Sequence, residues 1–235
     1  MAKILCIETS TVNCLVALSR EGILFGRQSC AGNDHAAKIA VFIDEVLREA
    51  ALRPEDLDAV AVGKGPGSYT GLRIGVATAK GLAYALQKPL LSVSPLQAMA
   101  WEAVSRLHKT GEVPADALFC PMTDAGRMEV YSAFYNLALE EVRGVRADIV
   151  EAGCYNEYLA YRPVYFFGNG AEKCKAVLGS EANARFMDGI APEARCMAAL
   201  AQQAFQDGRF EDTAYFEPFY LKDFKAGKPH VKGLN

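Results

Sequence analysis

Residues 65–75 read Gly-Pro-Gly-Ser-Tyr-Thr-Gly-Leu-Arg-Ile-Gly, and the segments on either side make this stretch decisive for the fold. Upstream, 57–63 is almost wholly apolar and reads as a buried strand; downstream, 72–86 has the spacing of a helix. A strand, a glycine turn and a helix put backbone N–H groups and a helix N-terminus where an anion can sit. Ser68 or Thr70 can cap that helix, and Pro66 between two glycines stiffens the turn. A plain tight connection accounts for the glycines at least as well. The stretch has neither the lysine-serine/threonine pair of a P-loop nor the GxGxxG spacing of a dinucleotide site.

The chain of 235 residues is long enough for one large domain or two small ones with a substantial core. It is 51% hydrophobic and 23% charged, ordinary proportions for a globular protein. A net charge of −3 gives no overall field toward nucleic acid or membrane. The 7 cysteines form no C-x-x-C, their number is odd, and no signal peptide or membrane-length apolar run is found. These features place the expected protein in the cytoplasm with reduced thiols.

Strands are expected at 3–10, 14–20 and 23–30, with Glu21-Gly22 as a hairpin signal between the last two. A helix follows over 35–51, capped by Asn33 or Asp34, then the strand, turn and helix described above, and a short strand at 89–93. Another helix opens at Ser94-Pro95 and runs to about 108. After a linker at 110–115, strands are expected at 117–123, 129–135, 142–150 and 164–167, a helix at 196–206 and a final strand or extension at 218–221. Three domains are drawn: 1–109, a smaller lobe at 110–214, and a C-terminal extension at 215–235 packing back toward the first. No internal sequence repeat is visible.

The helix at 35–51 is apolar on more than one side. Ile39, Ile43 and Val46 make one stripe, Ala36, Ala40 and Leu47 its neighbour, and Val41 and Phe42 widen the surface. In the next helix Gly71, Gly75 and Ala79 stand at steps of four and admit a closely packed helix. Burial inside one domain explains both patterns, and so does a protein interface.

The sequence resembles the TsaB (YeaZ) family, bacterial partners in making threonylcarbamoyladenosine on tRNA. The resemblance runs nearly end to end: the opening KILCIETST, His35 before a long helix, GPGSYTGLRIG, DAGRMEVY at 124–131 and EPFYLK at 217–222. One departure is Gly126, where the family usually has arginine, with Arg127 next. The resemblance implies an α/β fold of the actin-like ATPase (ASKHA, ribonuclease H-like) type, two-lobed with a degenerate second lobe. It implies a non-catalytic subunit that docks on and activates the catalytic subunit TsaD, together with the ATPase TsaE, in transferring threonylcarbamoyl to N6 of the adenosine beside the anticodon. Family members pair through the helices at 35–51 and 70–86, so Ile39, Phe42, Ile43, Val46, Gly71, Gly75 and Ala79 become the expected interface for both homodimer and partner.

In this superfamily a first phosphate loop follows the first strand, here Glu8-Thr9-Ser10, and an adenosine cradle follows a later strand, here Gly168-Asn-Gly170. A strand end and a simple turn explain the same residues. Asp124 is a further candidate carboxylate or a turn former, and Arg127 with Glu129 reads as a surface ion pair worth little. No tightly bound cofactor is expected, with ATP or ADP confined to the junction between subunits. No metal is expected either: the catalytic relative carries a His-x-x-x-His pair after the strand that here ends at Val93, where this chain reads Ser-Pro-Leu-Gln-Ala-Met-Ala-Trp. The C-terminal Lys225, Lys228 and Lys232 suit either a solvated tail or contact with a phosphate backbone, so tRNA is an indirect partner. Two rivals remain. A small-molecule phosphotransferase of the same fold would need Glu8 and Asp124 at work on a nucleotide; a metallopeptidase would need the missing histidines.

Overall fold

The computed structural model describes residues 2–20, 23–29, 35–111 and 113–222. The chain opens with an antiparallel meander, β1 (Ile4–Glu8), β2 (Cys14–Arg20) and β3 (Ile23–Ser29). Helix α1 (His35–Glu49) leads to β4 (Ala59–Gly63), and α2 (Tyr69–Leu86) leads to β5 (Leu90–Val93). β4 lies parallel to β1, with Ile7 opposite Val62, and β5 parallel to β4, so the sheet order is β3-β2-β1-β4-β5. β1 and β4 are buried along their whole length, which is why both read as unbroken apolar runs rather than alternating ones.

After α3 (Pro95–Thr110) the same order of elements recurs: β6 (Leu118–Asp124), β7 (Glu129–Tyr135), β8 (Glu141–Ile149), α4 (Asn156–Leu159), β9 (Val164–Phe167), α5 (Ala171–Leu178), β10 (Ala184–Met187) and α6 (Ala194–Gln206). The second sheet runs β8-β7-β6-β9-β10, strand for strand the order of the first. A duplication absent from the sequence is therefore plain in the topology. The fold is that of the actin-like ATPases, with a reduced second lobe: α4 and α5 have 4 and 8 residues, where α1 and α2 have 15 and 18.

The packing does not follow the boundary drawn at residue 109. Helix α3 sits on the second sheet, where Leu96, Met99 and Ala103 meet Phe119, Ala133 and Phe167. Helix α6 returns to the first sheet, where Cys196, Met197 and Ala201 meet Ile4, Cys6 and Leu91. Each lobe thus lends a helix to the other, and the two helices are tied by a buried carboxylate. Glu102 of α3 accepts from Arg106 Nε at 2.6 Å and from Arg195 of α6. The arginines hold this carboxyl below its usual range even though burial works the other way.

The segment expected as a final strand at 218–221 forms no strand and joins neither sheet. It belongs to a strap that begins where Glu211 bridges Leu90 on the β5 edge and continues past α2, where Lys80 Nζ donates to the carbonyls of Ala214 and Phe216. Phe219 N donates to Lys64 O at 2.8 Å. Lys222 then pairs with Glu129 of the second lobe, so the ion pair expected between Arg127 and Glu129 has a different cation.

Candidate functional site

The glycine stretch is filled by the chain itself. Because Ile7 pairs with Val62, the turn after β1 lies directly against β4 and the start of α2. A methyl group on Gly63 would lie 1.9 Å from Glu8 Oε2, on Gly67 2.2 Å from Ser10 O, on Gly71 2.1 Å from Thr9 O, and on Gly75 2.2 Å from Thr9 Oγ1. Glycines at 63, 67, 71 and 75 therefore form a ladder of steps of four that seats the Glu8–Ser10 turn. Hydrogen bonds hold it there: Thr9 Oγ1 donates to Gly71 O at 2.7 Å, and Ser68 N donates to Ser10 O at 2.7 Å. Ser68 caps α2, its hydroxyl accepting from Gly71 N.

Glu8, Thr9 and Ser10, the expected phosphate-loop residues, are each at most 2% exposed. The space a phosphate would occupy against the glycine backbone holds Thr9 and Ser10 atoms. Burial raises the Glu8 carboxyl above its ordinary value, against the pull of its Ser10 hydrogen bonds, and Oε2 has no partner among the described residues.

The second cluster is closed in a different way. Gly168, at φ +99°, and Gly170 press against the end of β6, and Asn169 Oδ1 accepts from Asp124 N at 3.0 Å. Asp124 itself is capped by Lys173, whose ammonium also donates to Glu129 O at 2.7 Å. Partial burial opposes ionisation of Asp124, yet Lys173 and the Gly126 N–H hold its carboxyl below the usual range. Gly126 takes φ +88° in the β6–β7 turn, where a Cβ would meet nothing. The carboxylate expected to face a nucleotide is an ion-pair partner of its own lobe. No described hydrogen bond or ion pair links the Glu8 cluster to the Asp124 cluster. Lys173 escaped sequence reasoning, although a lysine in the first turn of a helix opposes the helix dipole and so points to a local anion.

The apolar stripe of α1 and α2 also faces inward. Ile39, Ile43, Val46 and Ala79 belong to the core of the first lobe, Phe42 packs half-buried against it, and Gly71 and Gly75 rest on Thr9. Ile39, Val46 and Ala79 are thus turned into the lobe, while Ile43 also lines the groove between the two helices and Phe42 keeps part of its surface exposed. The outer face is made by others. Ala36, Ala40 and Val41 of α1 and Ala77, Gly81, Tyr84 and Ala85 of α2 are exposed, with Val41 at 50% and Tyr84 at 81%. Between the helices runs a groove of about 510 Å³ whose lining includes the apolar Ala40, Leu47 and Leu82 and the charged Asp44, Arg48 and Arg53. Nothing lies within 4 Å of a Cβ built on Gly81.

Among the described residues no group of three or more histidine, cysteine or carboxylate side chains converges, and no helix is long and apolar enough to cross a membrane. His35 is buried at the start of α1 with Nε2 3.2 Å from Val12 O. Lys225, Lys228 and Lys232, and the caps Asn33 and Asp34, lie outside the described residues.

Residues 29–229 match the family model described as "TsaD: tRNA N6-adenosine threonylcarbamoyltransferase". The chain is 30% identical over 234 residues to the tRNA threonylcarbamoyladenosine biosynthesis protein TsaB of Escherichia coli, covering 96% of this chain and 97% of that one. Its identity to TsaB of Bacillus subtilis is 34%, over 74% of each chain. Among solved structures, YeaZ from Pseudomonas aeruginosa superimposes with a TM-score of 0.78 at 28% identity, over 94% of this chain and all of the other. The chain belongs to the TsaB (YeaZ) family.

Proposed function

We propose that this chain is a non-catalytic subunit for threonylcarbamoyl transfer to tRNA, docking on a TsaD-type transferase through the outer face of α1 and α2. The observation that carries the proposal is that face: Ala36, Ala40, Val41, Ala77, Tyr84 and Ala85 are exposed around the groove between the helices, with Gly81 open, beside a glycine turn packed on the chain itself. Small residues let two helix pairs approach closely, and an apolar face of this kind is covered when the protein is at work. In the free protein a second copy covers it, giving a homodimer; in the complex the transferase does, with a TsaE-type ATPase joining the assembly in the cytoplasm. Any ATP or ADP is then held at the junction between subunits, and tRNA reaches this chain only through the assembly.

The rival phosphotransferase reading needs open glycines and a free carboxylate. Thr9 and Ser10 occupy the first and Lys173 the second. The test is reconstitution of threonylcarbamoyl transfer with purified TsaD-type and TsaE-type proteins. Asp124→Asn should support transfer as well as the parent chain does, and Val41→Glu should not. Loss of activity with Asp124→Asn in a folded, docked protein would return catalysis to this chain.

A further inference from the structure

A cleft of about 340 Å³ opens between the lobes. Lys64, just past β4, and Gln97, in the first turn of α3, stand on one wall; Tyr135, Glu141 and Val145 of β7 and β8 stand on the other, and the strap contributes Phe219. The backbone of Lys64 is fixed on both sides, its N–H donating to Val93 O at 2.9 Å and its carbonyl accepting from Phe219 N at 2.8 Å. The side chain thus leaves a rigid point. Among the described residues neither the Lys64 ammonium nor the Glu141 carboxylate has a hydrogen-bond or ion-pair partner, and the two do not pair with each other. The Gln97 side-chain amide is also unpaired there.

Opposite charges that line one cleft without pairing with each other define what fits between them. An anion would answer Lys64 and be repelled by Glu141; a cation would do the reverse. A nucleotide brings several negative charges toward that carboxylate and is disfavoured. A molecule with a carboxylate at one end and an ammonium close by completes both charge-assisted contacts at once. Val145 and Phe219 offer apolar contact to a short aliphatic side chain.

We infer that the interlobe cleft binds a free α-amino acid, its carboxylate toward Lys64 and its α-ammonium toward Glu141. This rests on the cleft alone and not on the docking reading. Saturation-transfer NMR on the full chain, with the standard α-amino acids and their amide and N-acetyl derivatives, tests it. At least one amino acid with a small apolar side chain should give a saturable signal that its amide and N-acetyl derivatives do not. Lys64→Met and Glu141→Gln should each weaken that binding by about tenfold to a hundredfold, in proteins whose melting temperatures match the parent. No saturable signal up to about 10 mM, equal binding of the derivatives, or binding that survives both substitutions would overturn the inference.

Discussion

The glycine ladder makes its sharpest prediction at Gly75. In an exposed helix position, Gly→Ala stabilises by about 1 kcal/mol, because alanine has less backbone freedom to lose on folding. At Gly75 the new methyl would lie 2.2 Å from Thr9 Oγ1 and 3.3 Å from Thr9 Cβ. The hydroxyl has to rotate away, and its 2.7 Å bond to Gly71 O breaks. Overpacking costs about 1–3 kcal/mol and the lost hydrogen bond about 1 kcal/mol, so after the helix gain Gly75→Ala should destabilise by about 1–3 kcal/mol. Removing the obstacle should change the sign. In a Thr9→Ala background only the 3.3 Å contact to Cβ remains, and Gly75→Ala should be neutral or stabilising. Urea denaturation of the four proteins of this double-mutant cycle gives the coupling, expected at about 2 kcal/mol. Additive effects, or a stabilising Gly75→Ala in the parent, would mean that Gly75 does not rest on Thr9.

Three further substitutions probe charged groups at different depths. Glu102→Gln should destabilise by about 2–3 kcal/mol, the arginines being about one-third exposed, and lower the melting temperature by about 4–12 °C. Because the folded Glu102 carboxyl lies below its ordinary 4.5, its contribution is present above the unfolded pKa and lost as pH falls through the folded one. Parent and variant should therefore converge in acid. Glu8→Gln should behave oppositely. Burial raises the Glu8 carboxyl above 4.5, so its contribution is complete below the unfolded pKa and lost as pH rises through the folded one; the melting temperature of the variant should gain on the parent as pH rises, and a constant gap would contradict this. Lys173→Met should let the Asp124 carboxyl titrate higher by carboxyl NMR, with a stability loss of no more than about 1 kcal/mol for so exposed a pair.

Much of this structure was legible in the sequence. The strands at 14–20, 129–135 and 164–167 begin and end where turn residues and alternation put them. Helices α4 and α5 and strand β10 were missed, since Asn156–Leu159 is a single turn, Ala171–Leu178 barely two, and Ala184–Met187 only four residues with Arg185 exposed. The glycine spacing was visible, but its partner was not: Thr9 lies 62 residues from Gly71, and no local pattern announces what will fill a missing Cβ. The same gap bears on the expected interface. A stripe at helical spacing reports which face is buried without saying whether sheet or partner covers it, and Ile39, Ile43 and Val46 found the sheet. The exchange of α3 and α6 between lobes is likewise a tertiary fact, fixed by Glu102 and its two arginines rather than by any local signal.

Gly81 tests the central claim most directly, because its missing side chain faces open space on the proposed docking surface. Gly81→Leu should stabilise the isolated chain by a few tenths to about 1 kcal/mol through helix propensity. A calorimetric titration of the TsaD-type subunit into this variant should show binding weakened by about a hundredfold or more, at least 2.7 kcal/mol, while Asp124→Asn titrates like the parent. If the stabilised Gly81→Leu protein binds the transferase with unchanged affinity, the outer face of α1 and α2 is not where this chain docks.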